Sequence, residues 1–235
     1  MLAPRDMVAL VDLTSLTGEE TDEDIARLCA QAKTPAGPVA AVCVYGRYVT
    51  RAVAALEGTG IPVAAVANFP EGDLDADRAV RETEQAVQDG AREVDVVLPW
   101  RAFLAGDRAG AMAVVEAARE ACPVLLKVIL ESGRLQEPEV IGAAARDALA
   151  VGADFVKTST GKLQPAATLP AAAVMLEAVR DHGMGGFKAS GGIRTAEDAA
   201  AYLELADALF GPEWAAPQTF RLGASSLLDD LLRER

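Results

Sequence analysis

Residues 93–98 read EVDVVL, residues 124–130 read VLLKVIL and residues 154–159 read DFVKTS. Each is a short run rich in β-branched residues, of the length of a buried strand, and each carries a charge within it. Similar runs lie on either side: VALVDL at 8–13, VAAVCV at 39–44 and VAAVAN at 63–68 before them, GFKAS at 186–190 and FRLGA at 220–224 after them. The segments between have helical spacing. From Asp73 to Asp89, for example, Ala76, Ala79, Val80, Thr83 and Val87 recur three and four residues apart. Near-continuous apolar strands alternating with amphipathic helices require a parallel sheet covered by helices, and eight such units close into a barrel rather than an open sheet. The expectation is therefore an α/β chain forming a single-domain (β/α)8 TIM barrel over residues 1–235.

Local punctuation supports this division. Thr21 with Asp24, and Thr195 with Asp198, have the spacing of capping boxes, and Gly-Ala pairs at 90–91 and 152–153 mark helix ends just before strands. A length of 235 residues with 51% apolar side chains is enough for one large core. The net charge of −13 is spread along the chain, which disfavours nucleic acid and anionic membranes as partners. Cys29, Cys43 and Cys122 are an odd set without close spacing and read as small buried side chains in a reducing compartment. No signal-peptide pattern opens the chain, and no uncharged run reaches the roughly 18 apolar residues of a membrane helix. A soluble cytoplasmic protein is expected, with a homodimer, the commonest assembly, left open.

Five strands carry charges where a barrel interior is ordinarily apolar: Asp12, Asp95, Lys127, Lys157 and Lys188. An unpaired buried ammonium costs several kcal/mol, so three strand lysines need a compensating reason, which Asp12 and Asp95 supply in part. One lysine, desolvated and beside a second cation, would lose its proton near neutral pH and form an imine with a carbonyl substrate. Asp95 is the natural group to move protons at neighbouring centres. TSTGK follows Lys157, ASGGIRT follows Lys188, and the last strand runs into GASS. Such loops bring backbone N–H groups close to an anion, and in this fold the phosphate site lies beyond strands seven and eight. Gly161, Gly191, Gly192, Gly223, Ser225 and Ser226 fit a phosphate cradle, with Lys162 and Arg194 adding charge. His182, the sole histidine, sits near a helix end outside any metal-ligand pattern, so neither metal nor organic cofactor is expected.

VDLTSL, AAVCVY, VANFP, EVDVVLPWRAFLAGD, LLKVILESG, GADFVKTSTGK, FKASGGIRTAEDA and RLGASSLL resemble, in order, the motifs of the deoxyribose-phosphate aldolase family across nearly the whole chain. The resemblance implies Lys157 as the Schiff-base lysine, Lys188 as the cation that lowers its pKa, and Asp95 as the proton-transfer residue acting with a water. It also implies that Lys127 lies beside the imine, that Asp12 and Thr160 hold the polar network and substrate hydroxyls, and that Cys43 lies near the pocket without being a nucleophile. The implied reaction is reversible cleavage of 2-deoxy-D-ribose 5-phosphate to D-glyceraldehyde 3-phosphate and acetaldehyde. Fold and lysine alone also suit another Schiff-base sugar-phosphate aldolase or a transaldolase, and a silent sugar-phosphate-binding barrel would keep the cradle. The intact Asp95, Lys157 and Lys188 set argues against the silent barrel.

Overall fold

In the computed structural model, which describes residues 2–233, eight parallel strands close into one barrel. They are β1 (Val11–Thr14), β2 (Ala41–Tyr45), β3 (Val63–Ala67), β4 (Glu93–Val97), β5 (Leu125–Ile129), β6 (Phe155–Lys157), β7 (Gly186–Ser190) and β8 (Phe220–Ala224). Each pairs with the next in the chain, and β8 returns to β1 with Asp12 opposite Gly223. A helix follows each strand: α1 (Asp22–Gln31), α2 (Val49–Ala55), α3 (Ala76–Gln88), α4 (Arg108–Ala121), α5 (Pro138–Ala150), α6 (Leu169–His182), α7 (Ala196–Phe210) and α8 (Leu227–Leu231). Among the described residues, no helix is long and apolar enough to cross a membrane.

The two sequence-level caps form as reciprocal capping boxes, Thr21 with Asp24 on α1 and Thr195 with Asp198 on α7. Each satisfies two backbone donors that a helix start would otherwise leave open. α3 starts later than the periodicity suggested, because Asp75 accepts from the backbone N of Arg78 and serves as the cap, while Asp73 is drawn off to the Arg78 guanidinium. The first strand also starts later. Val8–Leu10 form a 3-10 turn, and pairing begins at Val11. Val8 and Leu10 are buried, and burial alone does not distinguish a short strand from a helical turn. A two-residue hairpin, Lys33–Thr34 with Gly37–Pro38, was not foreseen; its partly exposed residues have no apolar pattern to announce it.

Two apolar clusters hold the fold. The larger one fills the layer between strands and helices. The smaller, with Cys43, Val66, Phe69, Val97 and Ile129, lines one side of the barrel's interior near its C-terminal mouth. Much of the remaining interior is charged, because alternate residues of a strand face the same way and Asp12, Glu93, Asp95, Lys127, Lys157, Lys188 and Arg221 all fall on the inward face. Replacing Thr195 by Ala removes one capping box from α7 and is expected to lower stability by about 1 kcal/mol in urea denaturation, with the slope unchanged.

Candidate active site

Asp95, buried in the middle of β4, accepts three ammonium groups. Its Oδ1 takes a hydrogen bond from Lys127 Nζ at 2.8 Å, and its Oδ2 takes one each from Lys157 Nζ and Lys188 Nζ, both at 2.8 Å. Lys127 also donates to Glu93 Oε2 at 2.5 Å and lies 3.8 Å from Asp12 Oδ2. Lys188 pairs with Asp12 Oδ2 at 2.5 Å. Arg221, on β8, closes the network from behind, with Nη1 donating to Asp12 Oδ1 at 2.6 Å and Nη2 to Glu93 Oε1 at 2.9 Å. All seven side chains are buried. Strand register makes this possible: Asp95 is opposite Lys127 across the β4–β5 ladder, and Lys157 is opposite Lys188 across β6–β7.

The three lysines differ electrostatically although they share a carboxylate. For Lys157, burial dominates and lowers the pKa, helped by Lys188 and opposed by Asp95. Burial acts on Lys127 and Lys188 too, but carboxylates outweigh it: Asp95, Glu93 and Asp12 raise Lys127, and Asp12 and Asp95 raise Lys188. Burial alone would raise Asp95 and Asp12, yet the surrounding cations hold both well below the usual carboxylate range. The cluster therefore sets two lysines whose charged form is favoured beside one whose charged form is disfavoured. Burial, followed by Asp95, pushes the Cys43 thiol up, so it stays a neutral thiol on the apolar wall.

Above the network is a cavity of about 290 Å³. Gly161 and Lys162 reach it from the loop after β6, and Gly191, Gly192 and Arg194 from the loop after β7. Gly223, Ser225 and Ser226 come from the end of β8. All eight predicted cradle residues thus meet at one place. Gly191 needs to be glycine: its φ is +93°, and a Cβ there would lie 2.7 Å from the Ala166 Cβ. Gly223 is constrained by space alone, since a Cβ would lie 2.9 Å from Lys188 Cε and 2.7 Å from Ser190 Oγ.

Thr160 lines the same cavity. Its hydroxyl donates to Glu131 Oε2 at 2.6 Å, and its backbone N donates to the same oxygen at 3.3 Å. Burial raises the Glu131 pKa, and Lys157 works against it. Glu93, Arg221 and Glu131 were not singled out in the sequence, nor were Thr14, Ser15 and Thr17, which form the cavity's wall after β1. The period of two could have found Glu93 and Arg221, which stand two residues before Asp95 and Gly223. Glu131 has no such signal. It follows the strand in left-handed backbone, with φ of +56°.

Residues 7–233 match the model of the DeoC/LacD family aldolases. The chain belongs to this family. Its sequence is 50% identical to a deoxyribose-phosphate aldolase of Agrobacterium fabrum, over 97% of this chain and 92% of that protein. A solved structure from Coccidioides immitis superposes with a TM-score of 0.85 at 32% identity, covering 97% of this chain and 86% of the other. A tetrameric deoxyribose phosphate aldolase from Aeropyrum pernix superposes with a TM-score of 0.81 at 26% identity, covering 97% and 91%. Among the described residues, this family member has no group of three or more His, Cys, Asp or Glu side chains arranged to hold a metal ion.

Asp95→Asn would leave the protonated Lys127 and Lys188 without the counter-charge they share with Lys157. Breaking a buried pair typically costs about 3–5 kcal/mol, and a loss of that order is expected in urea denaturation at neutral pH. A variant as stable as the parent would mean that the lysines are protonated less than the geometry requires.

Proposed function

We propose that this chain reversibly cleaves 2-deoxy-D-ribose 5-phosphate to D-glyceraldehyde 3-phosphate and acetaldehyde through an imine on Lys157. The observation that carries this reading is the position of Lys157. It is the lysine of lowered pKa, and Thr160, three residues beyond it, lines the glycine-rich cavity. The 50% identity to a deoxyribose-phosphate aldolase supports the choice of substrate.

In this mechanism the neutral amine of Lys157 adds to C1 of the open-chain sugar, and loss of water gives an iminium ion. Removal of the proton from the C3 hydroxyl then breaks the C2–C3 bond. The electron pair passes to the iminium, forming an enamine and releasing D-glyceraldehyde 3-phosphate. Protonation at C2 and hydrolysis release acetaldehyde and restore Lys157. Asp95, 2.8 Å from Lys157 Nζ, steadies the iminium charge and moves the C2 proton together with a water. Lys188, held protonated by Asp12, keeps a fixed positive charge beside the nucleophile. Thr160, tied to Glu131, faces the substrate hydroxyls, and the cradle takes the phosphate. The residues themselves supply all the chemistry, and the reaction takes place in the cytoplasm.

Borohydride reduction during turnover should trap the substrate carbon on Lys157, located by peptide mass spectrometry, and Lys157→Ala should lose turnover and trapping together. An unmodified Lys157 in a protein that turns over the sugar would overturn the assignment. Since only the neutral amine attacks, kcat/KM should fall as pH drops through the lowered pKa of Lys157. Ser226→Asp should raise KM for the phosphorylated sugar by about tenfold or more with a smaller change in kcat, because it sets a charge against the phosphate.

A further inference from the structure

The buried network contains more cations than anions. Lys127, Lys157, Lys188 and Arg221 face Asp12, Glu93 and Asp95, and every one of these groups has a partner in the set within 4 Å. A surplus charge sealed from water is costly, and the network relieves it by giving up one proton. Arg221 does not supply that proton, because a guanidinium stays charged. Lys127 has Glu93 at 2.5 Å, Asp95 at 2.8 Å and Asp12 at 3.8 Å, and Lys188 has Asp12 at 2.5 Å and Asp95 at 2.8 Å. Lys157 has only Asp95, which it shares with both other lysines. The proton therefore leaves Lys157.

From this we infer that Glu93 and Arg221, two groups in no ion pair with Lys157, are positioning residues that set the protonation of the nucleophile by fixing the charge balance of the network. Arg221 supplies the permanent cation that creates the surplus, and Glu93 limits it to one charge and holds Lys127 protonated. The remaining titratable groups facing Lys157 are Lys188 from β7, Cys43 from β2 and Glu131 from the loop after β5; Lys188 lies opposite Arg221 across the β7–β8 ladder and shares Asp12 with it. The inference rests on Lys157 being the imine-forming amine, and goes beyond it by naming what makes that amine neutral.

The two residues should have opposite effects. Arg221→Gln removes the surplus, lets all three lysines stay protonated, and should move the acid limb of kcat/KM to higher pH by about one unit. Glu93→Gln, nearly isosteric, enlarges the surplus and should move the same limb to lower pH by a similar amount, about one unit. Arg221→Lys keeps the charge while losing the bidentate fork, so it should keep the parent's midpoint even if its thermal stability falls.

The measurement is the pH profile of 2-deoxyribose 5-phosphate cleavage for the parent and the three variants, with borohydride trapping to locate the adduct. Shifts in the same direction for Glu93→Gln and Arg221→Gln, or an unmoved limb in both, would overturn the inference while leaving Lys157 as nucleophile. If Arg221→Gln does not fold, Glu93→Gln decides alone, since an acid shift is required of it. A parent that traps substrate elsewhere than Lys157 would instead remove the reading on which the inference stands.

Discussion

The Asp95 carboxylate holds three lysine amines in an interior closed to water, and the arrangement of the barrel's inner layer follows from that need. Three lysines that close together repel one another unless anions stand between them. The single charge of Asp95 cannot balance the cations around it. Asp12 and Glu93 take the overflow, and Arg221 in turn ties those two together from β8. Each added charge requires the next. A layer that most barrels fill with Val, Ile and Leu is here given over to ions supplied by strands β1, β4, β5, β6, β7 and β8.

Stability does not explain such a layer. Buried ion networks are commonly matched or bettered by apolar residues of similar volume, because desolvation consumes most of the Coulombic gain. The stabilising burial lies outside, where the large apolar cluster joins the outward faces of the strands to the helices. That outer shell lets the inner layer serve chemistry. The mouth divides its labour in the same way. An apolar wall of Cys43, Val66, Phe69, Val97 and Ile129 stands on one side, suited to a two-carbon aldehyde fragment, and the glycine-rich cradle stands on the other, suited to a phosphate. The chain is strongly acidic overall, yet near the cradle it places Lys162 and Arg194.

Most of this was legible in the sequence because a parallel barrel imposes strong local rules. Strands buried on both faces become apolar runs, so a charge inside one stands out, as Asp95, Lys127, Lys157 and Lys188 did. What escaped notice did so for definite reasons. Glu93 and Arg221 sit at the first and second positions of their strands, where a charge reads as the flank of an apolar run rather than as part of its inward face. Glu131 acts through a left-handed residue after β5, and no periodicity reaches into a turn. Thr14, Ser15 and Thr17 looked like ordinary loop polarity, since their meaning arises only when β1 closes against β8 and brings them to the cradle.

The same closure explains why three chemically identical side chains behave differently. Lys127, Lys157 and Lys188 lie on successive strands, converge on one carboxylate, and are equally removed from water. Burial therefore cannot choose among them. The choice comes from how many further anions each can reach, and this depends on depth along the barrel: Lys127 meets Glu93 and Asp12 below, Lys188 meets Asp12, and Lys157, at the last residue of its short strand, meets neither. On the proposed reading, a nucleophile is made by giving one lysine fewer anionic partners than its neighbours. The same end-of-strand position places Lys157, the amine with the fewest carboxylate partners, next to the segment that leads through Thr160 and Gly161 into the cavity.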